Sequence, residues 1–423
     1  MTDRNKFKEE IENYIDQIIS RYNFITYEDT NKIFAYSLEE GIYYPAESII
    51  TRLCCVSDVI NTPSAKNIIE MNIRGRTYKK RYNYSDAVCV KNGVLLFEKE
   101  DIKFIKHTPE LIFESKLNIP YLPKEQCPIW AATLNYILPK QLDRELLQEW
   151  IGYHFYKGQP FEKAMFITGK RSTGKSTTIW VIDSLMGNCC SHSQLSDFQQ
   201  DKNYCIANLY GKLANTYSDM GNATISDAGI FKVLTGSRDT ITCRMPYEKP
   251  FNIISSAKLT FGSNKLPPLS ANVQGDLAFW KRVLLIQFVT QIQKVDIEIF
   301  DKLTKEMSGI LNWAIEGYLR LKKNGGQFTK NCDDVYQTWT NSAYAINPLD
   351  EFIDSVCILN RDMFISKSSL RGLYEYWCSH NQEVAIDLQE FRASLAQKGI
   401  FETTRMIKDT GKREIIYKGI CQA

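Results

Sequence analysis

Lys163-Ala-Met-Phe-Ile-Thr-Gly169-Lys170-Arg171-Ser172-Thr173-Gly174-Lys175-Ser176-Thr177-Thr-Ile-Trp-Val-Ile-Asp-Ser-Leu-Met-Gly187 carries the spacing G-x-x-x-x-G-K-[ST] at Gly169, Gly174, Lys175 and Ser176. The apolar run Ala164–Ile167 before it suits a buried strand. Ile179, Ile182 and Met186 after it fall at helical spacing, and Gly187 is a helix stop. In a strand–loop–helix context this motif has a physical meaning. The glycines let the backbone wrap so that successive N–H groups face phosphate oxygens. The helix N-terminus adds its partial positive charge. Lys175 can reach the β- and γ-phosphates and the Ser176 hydroxyl can ligate Mg²⁺. Residues Gly169 to Thr177 are therefore the expected nucleoside-triphosphate-binding loop, with Mg²⁺ as cofactor. Average residue usage would produce the four-position pattern by accident in about one chain in a hundred of this size, before the flanks are counted.

The chain has 423 residues, enough for two or three domains. Hydrophobic residues make up 44% and charged residues 24%, an ordinary globular composition. The net charge of +3 argues neither for nor against nucleic acid, so any basic surface is local. The charged opening Met1–Glu10 does not read as a signal peptide, and no run approaches the ~18 apolar residues of a membrane span. The expectation is an intracellular, cytoplasmic protein with no membrane partner. Twelve cysteines form no C-x-x-C pair. Cys189, Cys190 and His192 could bind a metal, as could Cys378 with His380, but no second half-site stands at a recognisable spacing; buried thiols are the commoner explanation.

Outward from the loop, residues 1–85 predict a mainly helical module with a small β element in Thr26–Tyr44. A basic cluster at Arg74, Arg76, Lys79, Lys80 and Arg81, with Tyr78 and Tyr82, is either a solvated face or a nucleic-acid track. Residues 86–160 predict a hairpin across Lys91-Asn92-Gly93 and then a helical collar. Residues 161–328 alternate strands and helices, the pattern of a mostly parallel sheet. Residues 331–423 form a separate small domain after Asn324-Gly325-Gly326.

Within the sheet region, Gly211–Met220 is a strand ending in Asp219. An acid there can hold Mg²⁺ or its water, or polarise the attacking water. Position 218 is Ser, so Asp219 stands alone as metal ligand, base or both; a surface Asp at a turn is the alternative. Thr240–Arg244 and Pro250–Ile254 flank a basic tip and read as a hairpin. Lys258–Asn264 is a strand ending in an amide that can face the attacking water or γ-phosphate. Arg282, before the apolar strand Val283–Phe288, can stabilise transition-state charge on a neighbouring subunit's nucleotide, or be a solvated residue of a Lys-Arg pair.

This succession of motifs resembles superfamily 3 helicases of the AAA+ class, and more narrowly the C-terminal helicase part of phage, plasmid and poxvirus-type primase–helicases. The resemblance implies the Walker A loop at Gly169–Ser176, the Walker B acid at Asp219, a polar sensor at Asn264 and a trans-acting arginine finger at Arg282, 18 residues further on. It implies a DNA-contacting hairpin with Arg244 or Lys249 as the contact. Two features depart from the family: Ser218 stands where a second acid is common, and residues 1–80 show no pair of catalytic carboxylates for a primase.

After residue 331, helices at Pro348–Ile358, Ser369–Cys378 and Leu388–Gln397 precede a hairpin of Phe401–Ile407 and Arg413–Tyr417 across Asp409-Thr410-Gly411. Three helices and a hairpin wing describe a winged helix, suited to duplex DNA or to protein docking. The expected fold is thus α/β: a P-loop AAA+ core with a parallel sheet, a mainly helical N-terminal region and a C-terminal winged-helix domain. The expected activity is an ATP-dependent DNA helicase, 3′-to-5′ as the resemblance implies, forming a homo-oligomeric ring, a hexamer, around single-stranded DNA. Its rival is a non-unwinding origin-binding initiator that uses ATP as an assembly switch.

Overall fold

Ala164–Thr168 (β1) and Lys258–Ser263 (β4) are buried at every position. Strands buried at every position belong in a parallel sheet covered on both faces. In the computed structural model they are two of the three inner strands of a five-stranded sheet completed by Cys190–Ser191 (β2), Ala214–Tyr217 (β3) and Val283–Gln287 (β5). The order is β5-β1-β4-β3-β2, and every neighbouring pair is parallel. The residues described are 3–28, 30–55, 62–79, 87–98, 101–156, 158–200, 202–221, 224–246, 250–330, 332, 334–344, 348–381, 385–406 and 413–422.

The loops that follow β1, β3 and β4 must all emerge on one edge of the sheet, whereas residues that precede a strand lie on the other. The helix Lys175–Met186 (α1) follows the loop after β1 and buries Ile179, Ile182 and Met186, as its spacing predicts.

Residues 1–339 form one compact unit and residues 340–423 another. In the first, helices Asp3–Arg21, Glu47–Cys54 and Pro63–Thr77 pack with a four-stranded sheet built from Phe24–Tyr27, Ile33–Tyr36, Tyr43–Pro45 and Tyr78–Lys79. Thr62 starts the third helix by accepting a hydrogen bond from the Ala65 N–H at 3.1 Å. Helix outweighs strand here; Tyr78–Lys79 becomes an edge strand by pairing with Phe24–Tyr27. Of the basic cluster, Arg74 pairs with Glu70 at 2.9 Å and Arg76 with Asp16, while Lys80, Arg81 and Tyr82 lie outside the described residues.

Next come three antiparallel strands, Ala87–Val90, Gly93–Glu98 and Asp101–Ile105. Asn92 at the first turn is anchored twice to Tyr121, its side chain accepting from the Tyr121 N–H at 2.8 Å and donating to its carbonyl at 3.0 Å. The helices Pro128–Ile137, Gln141–Tyr153 and Met307–Lys323 then share one core with the sheet.

The Gln141–Tyr153 and Met307–Lys323 helices are locked by a buried charge. Glu149 is fully buried. It accepts from Arg320 Nε at 2.8 Å and from the Thr329 N–H and hydroxyl at 2.7 and 2.8 Å. Arg320 also donates to Gln148 Oε1 and the Glu145 carbonyl. Removing one member of a buried pair leaves the other charge uncompensated. Arg320→Ala is therefore expected to destabilise the fold by about 3–5 kcal/mol, read as a drop in denaturant midpoint; a loss below about 1 kcal/mol would mean that the pair behaves as a surface one.

In the second unit, helices Pro348–Val356, Lys367–Asn381 and Leu388–Gln397 pack on a three-stranded sheet ordered Cys357–Ser366, Arg413–Gln422, Phe401–Met406. The first strand is mostly exposed and its sequence shows no core alternation; pairing with Arg413–Gln422 holds it in the sheet. Asp387 caps the last helix through the Gln389 and Glu390 N–H groups at 2.8 and 2.9 Å. The Asp409-Thr410-Gly411 turn lies outside the described residues. No helix among the described residues is long and apolar enough to cross a membrane.

Candidate functional site

The loop between β1 and α1 opens into a cleft of about 1100 Å³. Its wall includes Arg171 to Thr177 from the loop and helix, Ser218 and Asp219 after β3, and Asn264 after β4. Three segments separated by dozens of residues meet because their strands run in one direction.

Gly174 begins α1 at φ +94°, a left-handed conformation, and a Cβ there would also lie 2.9 Å from Ile137. Glycine thus satisfies both the turn and the close approach of the Pro128–Ile137 helix. A second close approach sets the acid: a Cβ at Gly262 would meet the Ser218 carbonyl at 2.7 Å. The Met220 N–H bonds the Gly262 carbonyl at 2.7 Å, holding the Ser218-Asp219 turn over the end of β4.

Lys175 lies at the centre and is buried. Its ammonium donates to the Gly169 carbonyl, to the Lys170 carbonyl at 2.7 Å and to Asn264 Oδ1 at 3.0 Å. Burial pushes its pKa down to about 8, partly offset by the Asp219 carboxylate and reinforced by Arg171. A buried cation held only by neutral oxygens is short of negative charge, and an anion entering the cleft would supply it. A hydroxyl at Ser176 and a carboxylate at Asp219 in the same cleft are oxygen donors of the kind Mg²⁺ takes, and the residues present fit that ion.

The rest of the wall has no motif in the sequence. Thr133, Tyr136 and Ile137 come from the Pro128–Ile137 helix, and Ile292, Val295, Ile297 and Phe300 from the chain after β5. The Ile292 N–H bonds the Ser172 carbonyl at 2.7 Å, which folds that chain back across the loop. Ile297 is 89% exposed, an apolar side chain that a ligand's flat ring could cover. Only the exposed apolar character of Val295 and Ile297 in a polar stretch hinted at this wall.

The other predicted residues stand apart. Arg282 precedes β5 and so lies on the opposite sheet edge, roughly 16 Å of strand away. It is paired with Glu162 at 2.7 Å and donates to the Ala278 carbonyl at 3.0 Å. Arg244, exposed after the strand Ile241–Cys243, packs over the Tyr204 ring at 5.1 Å and donates to its hydroxyl. Lys249 lies outside the described residues.

A family of unknown function (DUF5906) matches residues 167–276, the stretch that runs from β1 through the acid and amide strands. No curated protein matches the chain. Solved structures that resemble it include three titled as apo forms of the NrS-1 C terminal region. They show TM-scores of 0.48, 0.48 and 0.47 at 12%, 11% and 13% identity, each covering 96% of this chain and 98% of the other. At these values the likeness assigns no activity to this chain.

Proposed function

We propose that the chain is an ATP hydrolase coupled to DNA unwinding, built on a P-loop AAA+ core of the superfamily 3 type with a C-terminal winged helix. The observation that carries this reading is the meeting of Lys175, Ser176, Asp219 and Asn264 in one cleft, with Asn264 Oδ1 on the Lys175 ammonium at 3.0 Å. Lys175 and the loop N–H groups hold the triphosphate. Ser176 and Asp219 hold Mg²⁺, which neutralises phosphate charge. Asn264 orients the attacking water, and the apolar wall covers the base.

In this proposal the subunits assemble head to tail into a ring, a hexamer by family resemblance, around single-stranded DNA. Arg282 lies too far from its own chain's cleft to serve it, which supports a role across a subunit boundary. Its ion pair with Glu162 favours a second reading, a clasp tying the start of β5 to the chain before β1. Arg244 and Lys249 contact DNA; Arg244 is exposed and stacks on Tyr204.

The test is strand displacement on a forked DNA duplex with ATP and Mg²⁺. ATP-dependent displacement is expected. DNA binding that responds to ATP without displacement would overturn the motor and leave the initiator reading, in which ATP switches assembly at an origin.

A further inference from the structure

Cys190 and His192 lacked a partner half-site in the sequence; the fold supplies one. Asp183 projects from α1 toward β2, where Cys190 Sγ lies 3.4 Å from Asp183 Oδ1 and His192 Nδ1 lies 3.9 Å from the same oxygen. One ligand atom from each of the three residues falls within 4.8 Å of the others. We propose that Asp183, Cys190 and His192 form a binding site for a zinc-class divalent cation, separate from the nucleotide cleft.

The distances suit such an ion. Zinc bonds of about 2.0 Å to oxygen, 2.0–2.1 Å to nitrogen and 2.3 Å to sulfur imply ligand separations of about 3.3–3.5 Å in a tetrahedron. The sulfur–oxygen distance already matches, and His192 is exposed enough to swing in. The donor set of thiolate, imidazole and carboxylate selects zinc over Mg²⁺. Charge balances as well: the Cys190 thiolate and the Asp183 carboxylate neutralise a divalent ion. Among the described residues, no lysine or arginine pairs with the Asp183 carboxylate; His192 Nδ1 lies 3.9 Å from it.

The Thr216 hydroxyl donates to Asp183 Oδ1 and lies 3.2 Å from His192 Nδ1 and 3.5 Å from Cys190 Sγ, so one hydroxyl touches all three ligand atoms and orients them. Burial pushes the free Cys190 thiol up to about 12. The ion must therefore displace that proton to solvent, one per metal bound, and affinity rises with pH. Asp183 stands seven residues beyond Ser176, about 10 Å along the helix, so the ion does not share the Mg²⁺ donors. It would tie α1 to the sheet edge beside the strand that leads to Asp219.

The experiment is Co²⁺ titration of the chelator-treated full chain without nucleotide, followed by displacement with Zn²⁺. One equivalent with a near-ultraviolet thiolate-to-cobalt band is expected. Cys190→Ser should remove the band, and Cys189→Ser should keep it. Thr216→Val should weaken binding by about 10–100-fold. His192→Ala, at an exposed position, should weaken it at least tenfold even if the Cys190 variant fails to fold. A wild-type protein with no band, a band that survives Cys190→Ser, or unchanged affinity in His192→Ala would overturn the site.

Discussion

Lys175→Ala removes ATP turnover, with an expected fall in kcat/KM of at least about 100-fold, and the same substitution relieves the unliganded fold of a buried charge. The catalytic loss follows from position. The Lys175 ammonium is tethered by the Gly169 and Lys170 carbonyls and Asn264 at the one point where the loop, β4 and the acid turn converge. Among the described residues, Arg171 and Lys294 also line the cleft, while the bonds to Gly169, Lys170 and Asn264 come from Lys175. Near-normal turnover in the variant would sink the proposed ATPase.

The stability effect has a defined pH window. The folded pKa of about 8 lies below the ordinary 10.5, so the folded state binds the Lys175 proton less tightly than the unfolded chain does. Below about pH 8 both states are protonated and folding bears the full cost of the buried charge. Between about pH 8 and 10.5 the unfolded state holds more protons, and stability contributed by this group rises with pH. Lys175→Met keeps the aliphatic stem and should be more stable than wild type by about 1–3 kcal/mol at pH 7. Denaturant melts should show that advantage shrinking as pH rises toward 10.5. In the wild type, KM for ATP should rise above about pH 8, where the free site loses its proton.

Asp219→Asn is the second large effect. The amide is close in size to the carboxylate, so the turn held by Met220 and Gly262 should persist. The expected outcome is a fall in kcat of about 100–1000-fold with nucleotide affinity within about tenfold, since the loop and Lys175 still hold the phosphates. Ser218 beside it cannot replace the charge. Turnover measured against Mg²⁺ concentration separates the two roles. A ligand role raises the Mg²⁺ needed; a base role lowers kcat at saturating Mg²⁺ without moving that requirement. An active variant would leave Asp219 a surface acid.

Local chemistry was legible in the chain alone. The strand, glycine loop and helix around Gly169–Ser176 were readable because each depends on residues within one short segment: an apolar run, a left-handed turn at Gly174 and helical spacing. Asp219 and Asn264 were readable as polar ends of apolar strands. The helix Leu388–Gln397 has the bounds that the sequence predicts.

Long-range placement was decided by the tertiary structure. The strand order β5-β1-β4-β3-β2 puts Asn264 on Lys175 and sends Arg282 to the far edge, and no local pattern encodes which strands become neighbours. The cleft's second wall comes from Pro128–Ile137 and the chain after Gln287, brought in by burial of Ile137 and by the Ile292–Ser172 hydrogen bond. Asp183 reads in sequence as an unremarked polar residue inside a helix. Only the packing of α1 against the β2 edge brings its carboxylate to Cys190 and His192, because side-chain chemistry is local but convergence is a property of the folded sheet.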